Sequence, residues 1–532
     1  MTRSLSLLLQ QNANQFPEKP VFIYPGRKSG WETITYRQFY QRINLFARGL
    51  AAYGLCPGMR AALMVPPSVD MFALVFALLQ TGIVPVMVDP AIGLRNVTPC
   101  LAECQPEVYF GSVLSHGIRR LFGWGRASLR WNLTLTDIAR AGEAASPIPP
   151  SMVDPKAEAA IVYTSGSTGL PKGAIYSGAN FLAQIEILVN ALQLNCEEID
   201  LPAFPLFAMI DCLLGVTAVI PDMRFPPPAK IDPVRVAAAI QAHQVNTLFV
   251  SPAALARLAR YGTANGLRLE SLQKVITAGA PAPAEVLEQF ANLLAPQAAL
   301  MGVYGSTEAL PVSIVSSKEI LQETRHRSAQ GAGICIGRPV QGAEVQIIPI
   351  SDRALTLSQA TPLPAGEIGE ITVKGPAVTK RYVARQDANR LAKISAAEGA
   401  TIHRMGDLGY FDNQGRLWYC GRKSQRVITD AGILFTEPVE GIFNAHPLVY
   451  RTALVGVKKA GNTEPVLWVE LIPAARGADK NQIRAELLEL AKAHHKAHSI
   501  KKILFHPAFP ADVRHNSKII REKLAELAKG QL

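Results

Sequence analysis

The sequence predicts an α/β protein of more than one domain, on three observations. At 532 residues, 48% of them hydrophobic and 18% charged, the chain is too long for one core and has the composition of a fully folded protein. From Ile34 to about Ile350, helical periodicity alternates with short Val/Ile/Leu-rich runs, the pattern of parallel sheets covered by helices. From Gly331 to Val373 the signals shorten and Gly and Pro punctuate them, marking a small β-rich unit. After Gly421-Arg422-Lys423, about a hundred residues remain, enough for a separate α+β domain.

The elements follow in order. Phe72 to Leu79 has helical period, and Ile83 to Val88 reads as a strand. Gln80, Gly82 and Pro85 interrupt this most apolar region, which suits a buried helix and strand rather than a membrane span. Phe181, Ile185, Leu188 and Leu192 recur at helical spacing, and Val245 to Val250 ends at Ser251-Pro252, a strand running into a helix start. A turn over Asp412 to Gly415 precedes the run Leu417 to Cys420. In the last domain, Ala453 to Val457, Val466 to Ile472 and Ile503 to Phe505 read as strands, with a helix near Gln482 to Lys492.

Composition bounds function. Lys and Arg exceed Asp and Glu by 54 to 42, a net charge of +12 that favours anionic partners in general. No nucleic-acid motif accompanies it, so nucleic-acid binding is not expected. One basic stretch, Arg119-Arg120-Leu121-Phe122-Gly123-Trp124-Gly125-Arg126 and on to Arg130-Trp131, interleaves aromatics with arginines and suggests contact with a membrane surface or a partner protein; the plainer alternative is a solvated face. The seven cysteines form no Cys-x-x-Cys pair and read as reduced thiols in a cytoplasm. Cys100 and Cys104 would share a helix face but make an incomplete metal site. The N-terminal stretch lacks a signal-peptide core, so export is not expected.

The most informative run is Tyr163 to Gly173. Four hydroxyls (Thr164, Ser165, Ser167, Thr168), three glycines (Gly166, Gly169, Gly173) and Lys172 follow an apolar strand, a composition suited to holding ATP phosphates. The spacing is not that of a Walker loop. Four further segments matter: Thr277-Ala278-Gly279-Ala280-Pro281, Tyr304-Gly305-Ser306-Thr307-Glu308, Arg404-Met405-Gly406-Asp407 and Gly421-Arg422. Taken alone, Glu308 reads as a helix-start carboxylate and Asp407 as a turn aspartate.

Together and in this order, these segments resemble the adenylate-forming superfamily of acyl-CoA synthetases, luciferases and peptide-synthetase adenylation domains, over nearly the whole chain. The resemblance implies an N-terminal domain over 1–421, of two doubly wound βα subdomains plus a small β-barrel-like subdomain, and a mobile α+β lid over 422–532. It implies ATP and Mg²⁺. Thr164 to Gly169 and Lys172 would take phosphates, and Gly279, Ala280, Pro281, Gly305 and Arg422 would line the nucleotide. Tyr304 would lie against adenine, Thr307 would bond a phosphate oxygen, Glu308 would hold the metal and Asp407 would accept the ribose hydroxyls. Lys518, preceded by Ser517 where most members carry glycine, would bridge the substrate carboxylate and the α-phosphate.

Departures narrow the reading. In Phe204-Pro205-Leu206-Phe207-Ala208-Met209, Ala208 stands where many acyl-CoA ligases carry histidine; Phe207 and Met209 beside it are the candidates for the acyl pocket. After Gly421-Arg422-Lys423, Ser424 replaces the usual hinge Asp or Lys. Both weaken a thioester-forming reading. With Val219 to Met223, Glu308 to Val312, His403 to Asp407 and Arg514 to Lys518, the chain is most similar to the β-lactone synthetases of bacterial long-chain olefin biosynthesis. That similarity implies adenylation of a 2-alkyl-3-hydroxy fatty acid, followed by displacement of AMP by its own 3-hydroxyl. His403 or the AMP phosphate is the candidate base. Implied pathway partners are a condensing enzyme, a ketoreductase and a lactone decarboxylase. The alternatives are a fatty acyl-CoA or acyl-carrier-protein ligase and, more remotely, a non-catalytic nucleotide-dependent binding protein.

Overall fold

A computed structural model describes residues 4–26, 30–89, 92–148, 153–164, 170–222, 230–459, 462–511 and 519–531. A six-stranded sheet runs in the order Trp131–Leu133, Val108–Gly111, Arg60–Met64, Val84–Met87, Glu158–Tyr163, Gly173–Ser177. It is parallel except for its last strand, which returns antiparallel on Glu158–Tyr163. A nine-stranded sheet has a parallel centre of Thr217–Val219, Ile199–Pro202, Thr247–Val250, Lys274–Ala278 and Ala299–Ser306. Ala299–Ser306 turns directly into the antiparallel Ala309–Ser316.

One core joins the two sheets. Helix Val69–Thr81 is apolar nearly all round and is buried between them, with Phe72 and Phe76 touching a cluster that includes Phe22 and Ala218 of one sheet and Val108 and Phe110 of the other. Phe22 stacks on Phe72 and meets Phe39 edge-on, both at 5.2 Å between ring centroids. Ser68 caps this helix through Met71 N, and Gly82 ends it with a φ of +72°, so the strand Val84–Met87 starts where glycine permits the turn.

The expected β-rich unit is larger than its sequence signals. Glu344–Ile348 pairs with Gly369–Lys374, which pairs in turn with the long strand Thr401–Phe411; that strand turns at Asp412 into Leu417–Arg422. Partners this far apart in sequence leave no local signature, which is why Gly331 to Val373 shows only half of the sheet. At its centre Arg404 is 3% exposed and Glu370 fully buried; the guanidinium meets that carboxylate at 2.6 and 2.8 Å and donates to Arg353 O at 2.7 Å and Leu391 O at 2.9 Å.

The remaining chain forms a three-stranded sheet of Val449–Lys459, Asn462–Leu471 and Lys502–Phe505, with helices Thr436–Asn444, Lys480–Ala493 and Arg521–Lys529. The strands and the Lys480–Ala493 helix fall where the sequence places them. No helix among the described residues is long and apolar enough to cross a membrane.

Removing one partner of a buried ion pair strands the other charge. Arg404→Met leaves Glu370 with the Lys423 ammonium at 3.0 Å and the Ser351 N–H at 2.7 Å, both on the same oxygen, and is expected to cost about 3 kcal/mol. Urea denaturation of the variant beside the parent measures this.

Candidate active site

The phosphate-loop run sits at the open end of a hairpin. Tyr163 pairs with Gly173 across the strands, Thr164 N donates to Lys172 O at 2.9 Å, and Lys172 N donates to Thr164 Oγ1 at 3.1 Å. Ser165, Gly166, Ser167, Thr168 and Gly169 lie outside the described residues. Gly173 is required by packing: a Cβ there would come within 2.8 Å of Val383 Cγ1 and 2.9 Å of Tyr163 Cζ. Its absence lets the chain at Arg381 to Val383 lie along the strand, with Ile175 N donating to Arg381 O at 3.1 Å and Val383 N to Gly173 O at 2.9 Å.

That close approach delivers Tyr382 to the site. Its hydroxyl donates to Glu308 Oε1 at 2.6 Å, while Asn389 clamps its backbone by accepting from Tyr382 N at 2.7 Å and donating to Tyr382 O at 3.1 Å. The Lys172 and Lys393 ammonium groups each lie 5.4 Å from the Tyr382 ring centroid. Glu308 sits at the tight turn between Ala299–Ser306 and Ala309–Ser316, not at a helix start; Glu308 N donates to Ser306 Oγ at 3.3 Å, and Glu308 O accepts from Thr379 N at 2.9 Å. Beside it, Thr307 O accepts from the Tyr176 hydroxyl.

Burial alone would raise the Glu308 carboxyl, but the His403 imidazole, the Tyr382 hydroxyl and the Lys393 ammonium outweigh it and hold the group at about 2. Glu308 is therefore a carboxylate at neutral pH. Burial pushes the Lys393 ammonium down to about 7. His403, directly across the strand pair from Lys393, is pushed to about 3 by burial, and its Nδ1 lies 3.1 Å from Ala392 O, the geometry of a donated N–H. A neutral imidazole this hard to protonate is a poor proton acceptor.

The nucleoside side is built on three strands. Tyr304 lies near the end of Ala299–Ser306, Asp407 within Thr401–Phe411 rather than in a turn, and Arg422 directly opposite Asp407 at the end of Leu417–Arg422. The Tyr304 hydroxyl donates to Asp407 Oδ2 at 2.6 Å, and Arg422 Nη1 lies 3.1 Å from Asp407 Oδ1. Asp407 is 3% exposed. Burial pushes the Tyr304 hydroxyl well up, so it stays a donor, and the Asp407 charge raises Arg422 further. Each carboxylate oxygen keeps lone pairs for hydroxyl donors.

Glycine fixes the edges of this side. Gly279 leaves the strand Lys274–Ala278 with a φ of +98°, ahead of Ala280 and Pro281. A Cβ at Gly305 would meet Leu310 Cδ1 at 2.7 Å.

Next to these segments is an enclosed cavity of about 30 Å³, bordered by Ala278, Val303 and Leu310 and by Phe207, Ile210 and Asp211 of helix Pro205–Leu214. Phe207 stacks on Phe249. Met209 points elsewhere: residues 207, 210 and 211 share a helical face, whereas Met209 packs with Ala208 and Cys212 into the core between the sheets. The cavity floor is polar. Asp200 and Asp211 share a hydrogen bond there, and burial pushes Asp200 up to about 8 and Asp211 well above the carboxylate range.

Lys518 lies outside the described residues; on either side of its segment Ala511 bridges Ile519, and Ile520 N donates to Pro510 O at 2.8 Å. Sequence reasoning missed Tyr382, Lys393, Thr379 and Asn389. None stands in a motif, and they reach Glu308 only through the hairpin and the antiparallel sheet. A lysine facing a histidine across otherwise apolar strand positions is the one trace they leave.

The residues present suit a hard divalent cation: an ionised, pre-oriented carboxylate at Glu308 beside lysines placed for phosphate. Tyr382→Phe is expected to raise the Mg²⁺ concentration for half-maximal ATP–pyrophosphate exchange by about 10-fold, read from a Mg²⁺ titration. The acid pair makes a second prediction. A carboxyl whose folded pKa is raised binds protons the unfolded chain has released, so the native state loses stability as pH rises from about 4 to about 8. The double variant Asp200→Asn with Asp211→Asn is expected to flatten that slope in the thermal midpoint.

Comparison with known proteins agrees with this geometry. The family model described as AMP-binding enzyme matches residues 9–383. A protein of Stenotrophomonas maltophilia named olefin beta-lactone synthetase is 43% identical over 99% of this chain and 98% of its own length. Another of that name from Xanthomonas campestris pv. campestris is 43% identical over 94% and 91%. Among solved structures, the Bacillus subtilis O-succinylbenzoate coenzyme A synthetase in complex with ATP and magnesium ion has a TM-score of 0.77 at 23% identity, covering 97% of this chain and 98% of that one, which speaks to the fold. With the family model matching residues 9–383, more than half of its length, the chain belongs to the AMP-binding enzymes.

Proposed function

We propose that this protein is an ATP-dependent, AMP-forming β-lactone synthetase acting on a 2-alkyl-3-hydroxy fatty acid in long-chain olefin biosynthesis. The observation that carries the reading is the 43% identity, over nearly the full length of both chains, to proteins named olefin beta-lactone synthetase. The site supports it.

A carboxylate is a poor electrophile, so the first step makes a leaving group of one of its oxygens. That oxygen attacks the α-phosphorus of ATP and pyrophosphate departs. Lys172 and the phosphate-loop amides hold the triphosphate, and Lys518 joins the carboxylate to the α-phosphate as charge builds there. Asp407 orients the ribose. A divalent cation on Glu308 supplies neutralisation of the charge on departing pyrophosphate. In the second step the substrate's 3-hydroxyl oxygen attacks the acyl carbon, the C–O bond to AMP breaks, and the hydroxyl proton leaves. The low basicity of His403 favours the AMP phosphate over it as acceptor. Nucleophile and electrophile share one molecule, so the enzyme has to fix a rotamer and keep water out.

The hinge agrees with a reaction that needs no second acyl acceptor. Lys423 is held by Glu370 at 3.0 Å and Arg426 by Asp352 at 2.5 Å, beside the Arg422–Asp407 pair. We take residues 422–532 as the lid that carries Lys518, and Phe207 as a wall of the acyl pocket. The seven free thiols suit a cytoplasmic setting. The substrate's chemistry places the enzyme after a condensing enzyme and a ketoreductase and before a lactone decarboxylase.

The test incubates the protein with ATP, Mg²⁺ and a racemic 2-alkyl-3-hydroxy fatty acid, with and without CoA, and reads proton NMR without heating. Ring-proton signals of a cis-3,4-dialkyl oxetan-2-one in the CoA-free tube are expected; AMP and a thioester formed only with CoA would overturn the proposal. Lys518→Ala is expected to slow lactone formation at least about 100-fold.

A further inference from the structure

The helix Val113–Phe122 packs only part of its apolar face, Ile118 and Phe122, against the protein and leaves the rest outside. Val113, Leu114 and Leu121 are 85%, 75% and 81% exposed, and no other large apolar side chain among the described residues exceeds 57%. Two of its polar residues, His116 and Arg119, lie against the protein, while Arg120 is exposed. The His116 ring lies 5.2 Å from the ring of fully buried Tyr109, and the Arg119 guanidinium 5.6 Å from it. Gly117, between the exposed residues on the outer face, has nothing within 4 Å of where a Cβ would stand. A soluble surface rarely concentrates apolar side chains in this way without something to cover them.

The charge around the ridge is of one sign. From Val108 to Thr136 there is no Asp or Glu, while Arg119, Arg120, Arg126 and Arg130 all fall in this stretch, with Arg120, Arg126 and Arg130 exposed. The aromatics that interleave with these arginines in the sequence are not the outward groups. Trp124 is 2% exposed, with Nε1 donating to Thr98 Oγ1 at 3.1 Å, so it anchors the turn after the helix. Left-handed Gly123 and Gly125, with φ of +66° and +64°, bring the chain round that anchor and present Arg126 beside the helix. The outward groups are therefore aliphatic and cationic, and they project from a convex helix.

We propose that helix Val113–Phe122 and its surrounding arginines form a docking surface for a bilayer rich in anionic phospholipid. The aliphatic ridge enters the boundary between headgroups and acyl chains, and Arg120, Arg126 and Arg130 meet lipid phosphates. A protein partner with a matching groove would need acidic residues round its rim, whereas a bilayer supplies an apolar interior and anionic headgroups together. The surface places the protein where fatty substrates are dissolved, and it holds whichever acyl acid the active site takes.

Flotation of the full chain with vesicles tests this. The protein is expected to float with vesicles of phosphatidylcholine and phosphatidylglycerol at low salt and much less with phosphatidylcholine alone. Leu114→Ser with Leu121→Ser, and separately Arg120→Ser with Arg126→Ser, are each expected to lower vesicle affinity at least about 10-fold. Both pairs lie in exposed side chains, so ATP–pyrophosphate exchange on a short soluble acid should be unchanged and shows that the variants are folded. Parent protein that stays unbound at every lipid composition, or variants that float as the parent does, would overturn the proposal. So would a parent oligomer that the leucine variant dissociates with no change in flotation, which would make the face a protein contact.

Discussion

The hydrogen bond from the Tyr304 hydroxyl to Asp407 Oδ2, 2.6 Å long, is the joint on which the site depends. Tyr304 belongs to the nine-stranded sheet and Asp407 to the antiparallel one, so this contact fixes the two sheets across the cleft at the point where a nucleotide has to be held. The Tyr304 hydroxyl on one carboxylate oxygen and the Arg422 guanidinium on the other hold Asp407 in one orientation at 3% exposure. Glu308 is treated in the same way from the other side: Tyr382, carried in by the strand-like segment against Gly173, donates to it at 2.6 Å. Two carboxylates, one at a strand turn and one in mid-strand, are thus each pinned by a tyrosine. Both side chains are thereby held in place before any substrate arrives, which is the preorganisation that the proposed adenylation would use.

Much of this was legible in the sequence, and the physics explains the boundary. Lys172, Glu308, Asp407 and Arg422 stand in short segments whose chemistry is local, and the order of those segments was enough to suggest the family. The helix Val69–Thr81 and the strand Val84–Met87 were readable because burial on all sides leaves an unbroken apolar run ended by glycine. Tyr382 and Lys393 were not readable. Their roles come from register, Ala174 against Tyr382 and Lys393 against His403, and register between distant segments leaves no periodicity. Glu308 and Asp407, read alone, suggested a helix start and a turn; the structure puts one at a strand turn and the other in mid-strand, because pairing with partners far along the chain overrides local propensity. Met209 shows the converse. Its place beside Ala208 suggested a pocket residue, but two steps along a helix turn a side chain about 200° from Phe207, and Ile210 and Asp211 line the cavity with Phe207.

The acyl side shows how closure and polarity combine. Phe207 lies on Phe249 over a cavity with room for one or two waters, so an alkyl chain enters only if that stack opens. Beneath it, the Asp200–Asp211 pair retains a proton that an isolated aspartate would have lost, and remains a polar floor in an apolar chamber. A chamber with this little free volume suits an activated acid that must meet its own hydroxyl before it meets water. The ion pairs that hold Lys423 and Arg426 to the antiparallel sheet fit the same picture, since an intramolecular acceptor does not require the cleft to reopen for CoA.

The central claim is that the carboxylate is activated as an adenylate and then captured by the 3-hydroxyl. Labelling both carboxylate oxygens of the substrate with 18O and analysing the products by mass spectrometry tests it most directly. The account predicts one labelled oxygen in AMP and one in the lactone carbonyl, with the ring oxygen unlabelled because it comes from the hydroxyl. Unlabelled AMP with both labels in the lactone would mean that the hydroxyl, not the carboxylate, had been activated, and would contradict it.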